Sequence, residues 1–125
     1  MNERLLDAAT YRAVRRPLLE AEALPPACYT SPEFFALERE RIFMKVWNFV
    51  GDVGLVPNPG DYHAFDYAGV PVLLVRDRAG TVRAFANTCR HKGSRIVSGD
   101  GSARALKCPY HGWVYGLDGK LTGAP

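Results

Sequence analysis

Two Cys/His pairs constrain what this chain can fold into more than any other feature of its sequence. Cys89 and His91 form the first pair, Cys108 and His111 form the second, and sixteen residues separate the two pairs. Each pair follows a predicted strand, so the pattern predicts two loops whose tips meet at one metal site. Thiolate and imidazole are ligands of zinc and also of iron in sulfide clusters, so the residue types alone leave both metals open.

The spacing of the pairs fits an iron–sulfur cluster. Structural zinc sites usually place like ligands together with two or more residues between them, whereas here each pair is mixed and the first has a single spacer. In a Rieske centre one iron takes two cysteines and the other takes two histidines, so each mixed loop has to supply both metals. Gly93 and Gly112 allow the loop backbone to bend closely around such a site. On these residues alone, zinc and an empty site remain alternatives.

The first part of the chain predicts an arm followed by a helix. Residues 1–27 read as a weakly helical arm that runs into an extended connector. Ser31 followed by Pro32 is a helix start, and the predicted helix runs from about Pro32 to Lys45. Its apolar side chains are expected to face a core: Phe35, Ile42, Phe43 and Val46. We therefore place the arm and helix at residues 1–46.

From residue 47 to residue 125, short apolar runs alternate with turn residues, which is typical of an antiparallel β domain. The strands are predicted at Asp61 to Tyr67, Gly69 to Arg76, Thr81 to Ala86, Ala103 to Lys107, Trp113 to Gly116 and after Asp118-Gly119. The predicted fold class is mainly β.

Charge and composition limit the partners of the chain. A net charge of +3 with scattered basic residues gives no electrostatic argument for nucleic acid. No apolar run is long enough to cross a bilayer, and the first ten residues lack the features of a secretory signal, so we expect no membrane insertion and a cytoplasmic location.

The basic residues between Arg90 and Lys107 are either a docking surface for an acidic redox partner or a solvated face. Cys28 and His63 are given no role in the site.

The loop sequences also resemble a known family. Cys89-Arg90-His91-Lys92-Gly93 and Cys108-Pro109-Tyr110-His111-Gly112-Trp113 resemble the Rieske domain of aromatic-ring-hydroxylating oxygenase large subunits, and the similarity covers most of residues 30–125. It implies a Rieske-type antiparallel β-sandwich with two cluster-binding hairpin loops, preceded by the N-terminal helical arm. It also implies a [2Fe-2S] cluster held by Cys89, His91, Cys108 and His111. Respiratory Rieske proteins carry two further cysteines where this chain has Ser94 and Tyr110, so we expect a potential of about −150 mV.

The resemblance implies electron transfer within a dioxygenase system. Large subunits of this family pass electrons from a ferredoxin or reductase to a mononuclear iron held by two histidines and a carboxylate in a further catalytic domain, usually across a homotrimer. The chain has three histidines, and the cluster uses two of them, so the catalytic iron site is expected outside it. We expect the chain to be an N-terminal fragment of such a subunit. The alternatives are a stand-alone Rieske ferredoxin, which the long arm disfavours, and a structural zinc domain.

Overall fold

The computed structural model describes residues 6–125. The described part of the predicted arm contains a 3-10 turn, Ala8–Tyr11, where the Asp7 carboxylate accepts the backbone N–H of Ala9 at 2.9 Å. Residues 1–5 of that arm lie outside the described residues. A short helix, α1, covers Ala27–Thr30. Within the described part of the chain, no helix is long and apolar enough to cross a membrane.

The predicted helix begins where the sequence indicates but changes its geometry halfway. Helix α2 covers Pro32–Glu38, and the Ser31 hydroxyl accepts the N–H of Phe34 at 3.2 Å. A π-helix, Arg39–Phe43, follows, in which the helical hydrogen bonds span five residues instead of four. None of the residues in α2 or the π-helix is buried.

The expectation that the apolar side of this helix faces a core is wrong for three side chains. Phe35, Ile42 and Val46 are each about half exposed, at 48%, 47% and 53%. Phe43 is partly buried and contacts Phe35, with the ring centroids 6.2 Å apart. An amphipathic pattern shows which side chains share a helix face, but it does not show whether the chain itself supplies a surface to cover them.

Four antiparallel strands form the first sheet, in the order β3-β2-β1-β4. They are β1 (Asp61–Tyr67), β2 (Val70–Arg76), β3 (Val82–Ala86) and β4 (Gly99–Ser102). The first three lie within a residue of their predicted bounds. β4 was not predicted, because Gly-Asp-Gly-Ser is a poor strand sequence and only its pairing with β1 makes it extended.

Three short antiparallel strands form the second sheet, in the order β5-β6-β7. They are β5 (Leu106–Lys107), β6 (Val114–Tyr115) and β7 (Leu121–Gly123). The predicted strand at Ala103 to Lys107 is therefore shortened to its last two residues. The buried core contains both cysteines of the candidate site together with residues from the two sheets: Ala64, Leu73, Val75, Cys89, Leu106, Cys108, Tyr115 and Leu117. The predicted antiparallel β architecture is confirmed.

The chain forms two compact units. The first ends at Phe49, and the second covers Val50–Pro125 and contains both sheets. Every residue of the candidate metal centre lies in the second unit.

Candidate metal centre

The first Cys/His loop follows β3 and is closed by its own backbone. The N–H of Cys89 donates to the carbonyl of Ser94 at 2.8 Å, and the N–H of Gly93 donates to the carbonyl of Cys89 at 2.9 Å. Gly93 has a φ of 71°, a conformation that favours glycine. The loop leads from β3 to β4, which lie on opposite edges of the first sheet, so these two hydrogen bonds hold its shape in place of a strand ladder.

The second loop has the same backbone frame. The N–H of Cys108 donates to the carbonyl of Trp113 at 2.8 Å, and the N–H of Gly112 donates to the carbonyl of Cys108 at 3.1 Å. Gly112 has a φ of 74°, nearly equal to that of the glycine in the first loop. This loop joins the paired strands β5 and β6 and is a true hairpin. The chain therefore builds one local turn twice, each time with cysteine at its first position and glycine at its fifth.

The two frames bring the cysteine side chains together in the core. Cys89 and Cys108 are 3% and 2% exposed and belong to the same buried cluster. The Cys108 thiol lies within hydrogen-bonding reach of Cys89 and helps to lower the pKa of Cys89. Neither cysteine takes part in a disulfide. The site thus offers two adjacent sulfurs that are shielded from water.

A buried tyrosine on β6 completes the surroundings of Cys89. The Tyr115 hydroxyl lies 3.2 Å from Cys89 Sγ and accepts the backbone N–H of Arg90 at 3.0 Å. Because that N–H occupies one lone pair of the oxygen, the hydroxyl proton is free to point at the sulfur. The hydrogen bond from Tyr115 is the largest cause that lowers the pKa of Cys89, and the backbone N–H groups of His91 and Lys92 add to it against the opposing effect of burial. These contacts favour the thiolate, which is the form that binds metal.

The imidazoles of the two loops meet at the protein surface. His91 and His111 are both exposed, and their ring centroids are 4.8 Å apart with the planes inclined at 58°. Trp113 stacks on His91 with a centroid separation of 4.8 Å and an interplanar angle of 7°. Tyr110 stacks on its neighbour His111 at 3.8 Å. The second loop therefore places an aromatic ring against each histidine.

The residues that were left out of the site have other partners. His63 lies on β1, where its Nδ1 atom pairs with the Asp100 carboxylate of β4 and its ring stacks on Phe65 at 5.2 Å. Cys28 is partly buried in the first unit, with its sulfur 3.7 Å from the Tyr11 hydroxyl. These contacts of both side chains are thus with groups outside the two Cys/His loops.

The donor set fits a two-iron cluster. Such a cluster takes two cysteines on one iron and two histidines on the other, and the chain presents one pair of buried sulfurs and one pair of surface imidazoles. The environment of Cys89 favours its anionic form. Within residues 6–125, no three histidine, cysteine, aspartate or glutamate side chains gather as ligands of one metal ion.

Sequence reasoning missed Tyr115 as part of the site. Its hydroxyl contacts a cysteine 26 positions earlier in the chain, and that contact depends on how the two sheets pack. One signal was available. Tyr115 lies two residues after Trp113, so strand alternation places both side chains on the same face of the segment that leaves the second loop.

The fold and the paired loops define a β protein whose cysteine and histidine side chains fit the ligand set of an iron–sulfur cluster. The chain belongs to the Rieske [2Fe-2S] domain family, whose model matches residues 46–125. The resemblance found in the loop motifs is thereby confirmed.

The matched proteins include oxygenases and oxygenase subunits. The chloroplastic choline monooxygenase of Spinacia oleracea is 41% identical over 108 residues, which is 86% of this chain and 25% of that protein. The biphenyl dioxygenase alpha subunit of Paraburkholderia xenovorans is 39% identical over 85% of this chain and 23% of its own length. A solved quaternary ammonium Rieske monooxygenase superposes with a TM-score of 0.73 at 38% identity, covering 80% of this chain and 28% of that one. The chain spans about a quarter of the length of these relatives.

Proposed function

We propose that the chain binds a Rieske [2Fe-2S] cluster through Cys89, His91, Cys108 and His111 and serves as a one-electron relay. In this proposal residues 47–125 form the Rieske domain, and residues 1–46 form the arm that precedes it. The main support for the proposal is the repeated loop frame, which brings the two sulfurs close together inside the core and the two imidazoles close together at the surface. Once bound, the cluster supplies reversible one-electron chemistry.

The two types of proposed ligand differ in exposure, because the cysteines are buried and the histidines are exposed. The buried cysteines hold the inner side, where the Tyr115 hydroxyl and backbone N–H groups stabilise negative charge on sulfur. Imidazole is a neutral ligand, so two histidine ligands would leave the oxidised site near zero charge, whereas an all-cysteine site carries about −2. A less negative site accepts an electron more readily. Because both imidazoles are exposed, an electron donor or acceptor can contact them directly.

We further propose that this relay belongs to an oxygenase system. The matched relatives are oxygenase subunits, and inter-subunit electron transfer has been described for the solved quaternary ammonium monooxygenase. By analogy, a ferredoxin or reductase delivers the electron, and a mononuclear iron in a separate catalytic domain of a homotrimer receives it in the cytoplasm. The relatives act on both choline and biphenyl, so membership of this group alone does not select an aromatic substrate.

Exposed basic residues beside the proposed ligands support an acidic protein as the electron donor. Arg90, Lys92 and Lys107 each adjoin a proposed ligand in sequence, and all three are exposed. Within the described residues none of the three has a carboxylate partner, whereas Arg95 pairs with Asp66. Unpaired cations beside an exposed redox site attract a partner of opposite charge and raise its association rate.

The first test is spectroscopic. The chain is expressed with iron and sulfide, purified without oxygen, and examined by visible absorption and electron paramagnetic resonance before and after dithionite. We expect a red-brown protein with a rhombic signal only in the reduced form. A colourless, folded protein that contains zinc would contradict the proposal, because zinc has a filled d shell and gives no such bands.

The chain offers a matched control for each ligand type. Cys108→Ala and His111→Ala are expected to abolish the reduced-state signal, because each removes a ligand from one iron. Cys28→Ala and His63→Ala make the same chemical changes outside the site and are expected to keep it. An unchanged signal in Cys108→Ala or His111→Ala would show that the ligand assignment is wrong.

A further inference from the structure

Trp113 lies flat against the ring of His91. The centroids are 4.8 Å apart, and the planes differ by only 7°. The two residues come from different loops, because His91 belongs to the first and Trp113 closes the second. The contact therefore places an aromatic surface of one loop against the imidazole of the other.

The indole is held firmly in place. The Trp113 carbonyl accepts the N–H of Cys108 at 2.8 Å, which is the hydrogen bond that closes the second loop. The next residue, Val114, begins β6 and pairs with Lys107 of β5. The Trp113 side chain is partly buried and packs against the hydrophobic core. The backbone hydrogen bonds and the core contact therefore hold the indole in place without any contribution from a bound metal.

The His91 ring has few other constraints. Its side chain is exposed, and among residues 6–125 its ring nitrogens have no hydrogen-bond partner. Its other ring contact is with His111, which is also exposed and inclined at 58°. An exposed imidazole without a hydrogen bond samples several rotamers. The flat face of Trp113 is thus the main feature that restricts the orientation of His91.

We propose that Trp113 is a positioning residue for His91, which it holds in one orientation before metal enters, so that the histidine is preorganised as a ligand. The inference rests on the proposed cluster site, of which His91 is one member. A ligand that is already oriented loses little further freedom on binding, so metal is retained more tightly. Without the indole, His91 dissociates from the metal more often, and the cluster is lost sooner.

The test compares three variants of the full chain. Trp113→Leu removes the aromatic surface, and Trp113→Phe keeps a smaller one. Trp47→Leu makes the same change at the only other tryptophan of the chain, which is fully exposed at 102%. In the metal-free chain, nuclear magnetic resonance reports the carbon-bound ring protons of His91. We expect them to be shifted upfield by the indole in the parent chain and in Trp47→Leu, and to lose that shift in Trp113→Leu.

The loaded proteins provide the second measurement. Cluster loss to an iron chelator is followed by visible absorption, and the iron–imidazole vibrations are recorded by resonance Raman spectroscopy. Trp113→Leu is expected to lose its cluster about tenfold faster than the parent, as for other residues that orient a metal-binding histidine. Trp113→Phe is expected to remain within about threefold of the parent, and Trp47→Leu is expected to match it. Altered iron–imidazole bands in Trp113→Leu would separate positioning from a general loss of stability.

The outcomes distinguish this inference from the proposed function. If the parent chain takes up no cluster, the proposed function fails, and unshifted His91 protons in the metal-free chain would independently overturn the stack. If the parent holds a cluster while Trp113→Leu keeps the parental loss rate and vibrations, the positioning role is refuted and the proposed function stands. If circular dichroism shows that Trp113→Leu does not fold, Trp113→Met takes its place, since it keeps side-chain volume without a ring.

Discussion

Asn87 is a fully buried polar residue that connects the two ends of the first loop. Its side chain is fully buried at 0% exposure, two positions before Cys89. Oδ1 accepts the N–H groups of Ile96 and Val97 at 3.1 and 3.2 Å, and Nδ2 donates to the carbonyl of Val97 at 2.7 Å. These three hydrogen bonds join the end of β3 to the segment beyond the loop, so they hold both ends of the loop together.

We predict that Asn87→Ala destabilises the metal-free chain by about 3 to 5 kcal/mol. Each of the three hydrogen bonds is worth about 1 kcal/mol net, and the backbone groups that they leave buried add a desolvation cost. A loss of this size is a large part of the ~5 to 15 kcal/mol that stabilises a typical domain. Urea unfolding followed by circular dichroism measures the change, with an unchanged slope if the unfolded state is unaffected.

Asn58→Ala is the matched control for this prediction. Its side chain donates to the Asp61 carboxylate at 3.1 Å in an exposed turn, so its loss should cost less than about 1 kcal/mol. Hydrogen exchange gives a local measurement, because the amides of Ile96 and Val97 lose their acceptor and should exchange more than about tenfold faster in Asn87→Ala. If Asn87→Ala costs no more than Asn58→Ala, the reasoning from the buried hydrogen bonds is refuted.

Three further predictions concern potential, docking and acid stability. Tyr115→Phe removes the hydrogen bond from the Tyr115 hydroxyl to Cys89. Because that hydrogen bond would stabilise the reduced, more negative site, voltammetry should show a reduction potential lower by about 40 mV, equivalent to ~1 kcal/mol. Lys92→Glu should slow reduction by an acidic ferredoxin, measured by stopped flow, by about tenfold at low salt. A hydrogen bond from the guanidinium of Arg83 lowers the pKa of Asp77 below its ordinary value of 3.8. The Asp77 carboxylate therefore stabilises the fold at pH values above 3.8, and this contribution is lost as the pH falls through the lowered pKa. Asp77→Asn should therefore flatten the decline in urea stability below about pH 4.

Each of these predictions has a result that would contradict it. An unchanged or higher potential in Tyr115→Phe would mean that its hydroxyl does not donate to sulfur. Lys120→Glu is the control for docking, because Lys120 lies in the β6–β7 turn and pairs with Asp118 at 3.3 Å. Equal slowing by both charge reversals would indicate a general effect of net charge. An acid transition as steep in Asp77→Asn as in the parent would assign the decline to other carboxylates.

Local sequence signals predicted most of the elements that carry the site. The start of α2 follows from Ser31 and Pro32, because a cap and a first-turn proline act within a few residues. The first three strands follow from short apolar runs between strong turn residues. The sequence did not predict β4, whose residues are poor strand formers and are extended only through pairing with β1. It also did not predict the π-helix after Glu38 or the exposure of Phe35, because an amphipathic pattern specifies neither the hydrogen-bond spacing of a helix nor what covers its apolar face.

The sequence by itself determined the candidate ligands and the turns that present them. The order of cysteine, histidine and glycine within each loop sets a local backbone frame, which a few residues can encode. Only the tertiary structure decided that Tyr115 reaches Cys89 and that Trp113 covers His91. These contacts join residues far apart in the chain, and residue spacing does not specify how two sheets pack. The sequence therefore identified the candidate metal centre, and the packing of the sheets supplied the groups that orient and tune it.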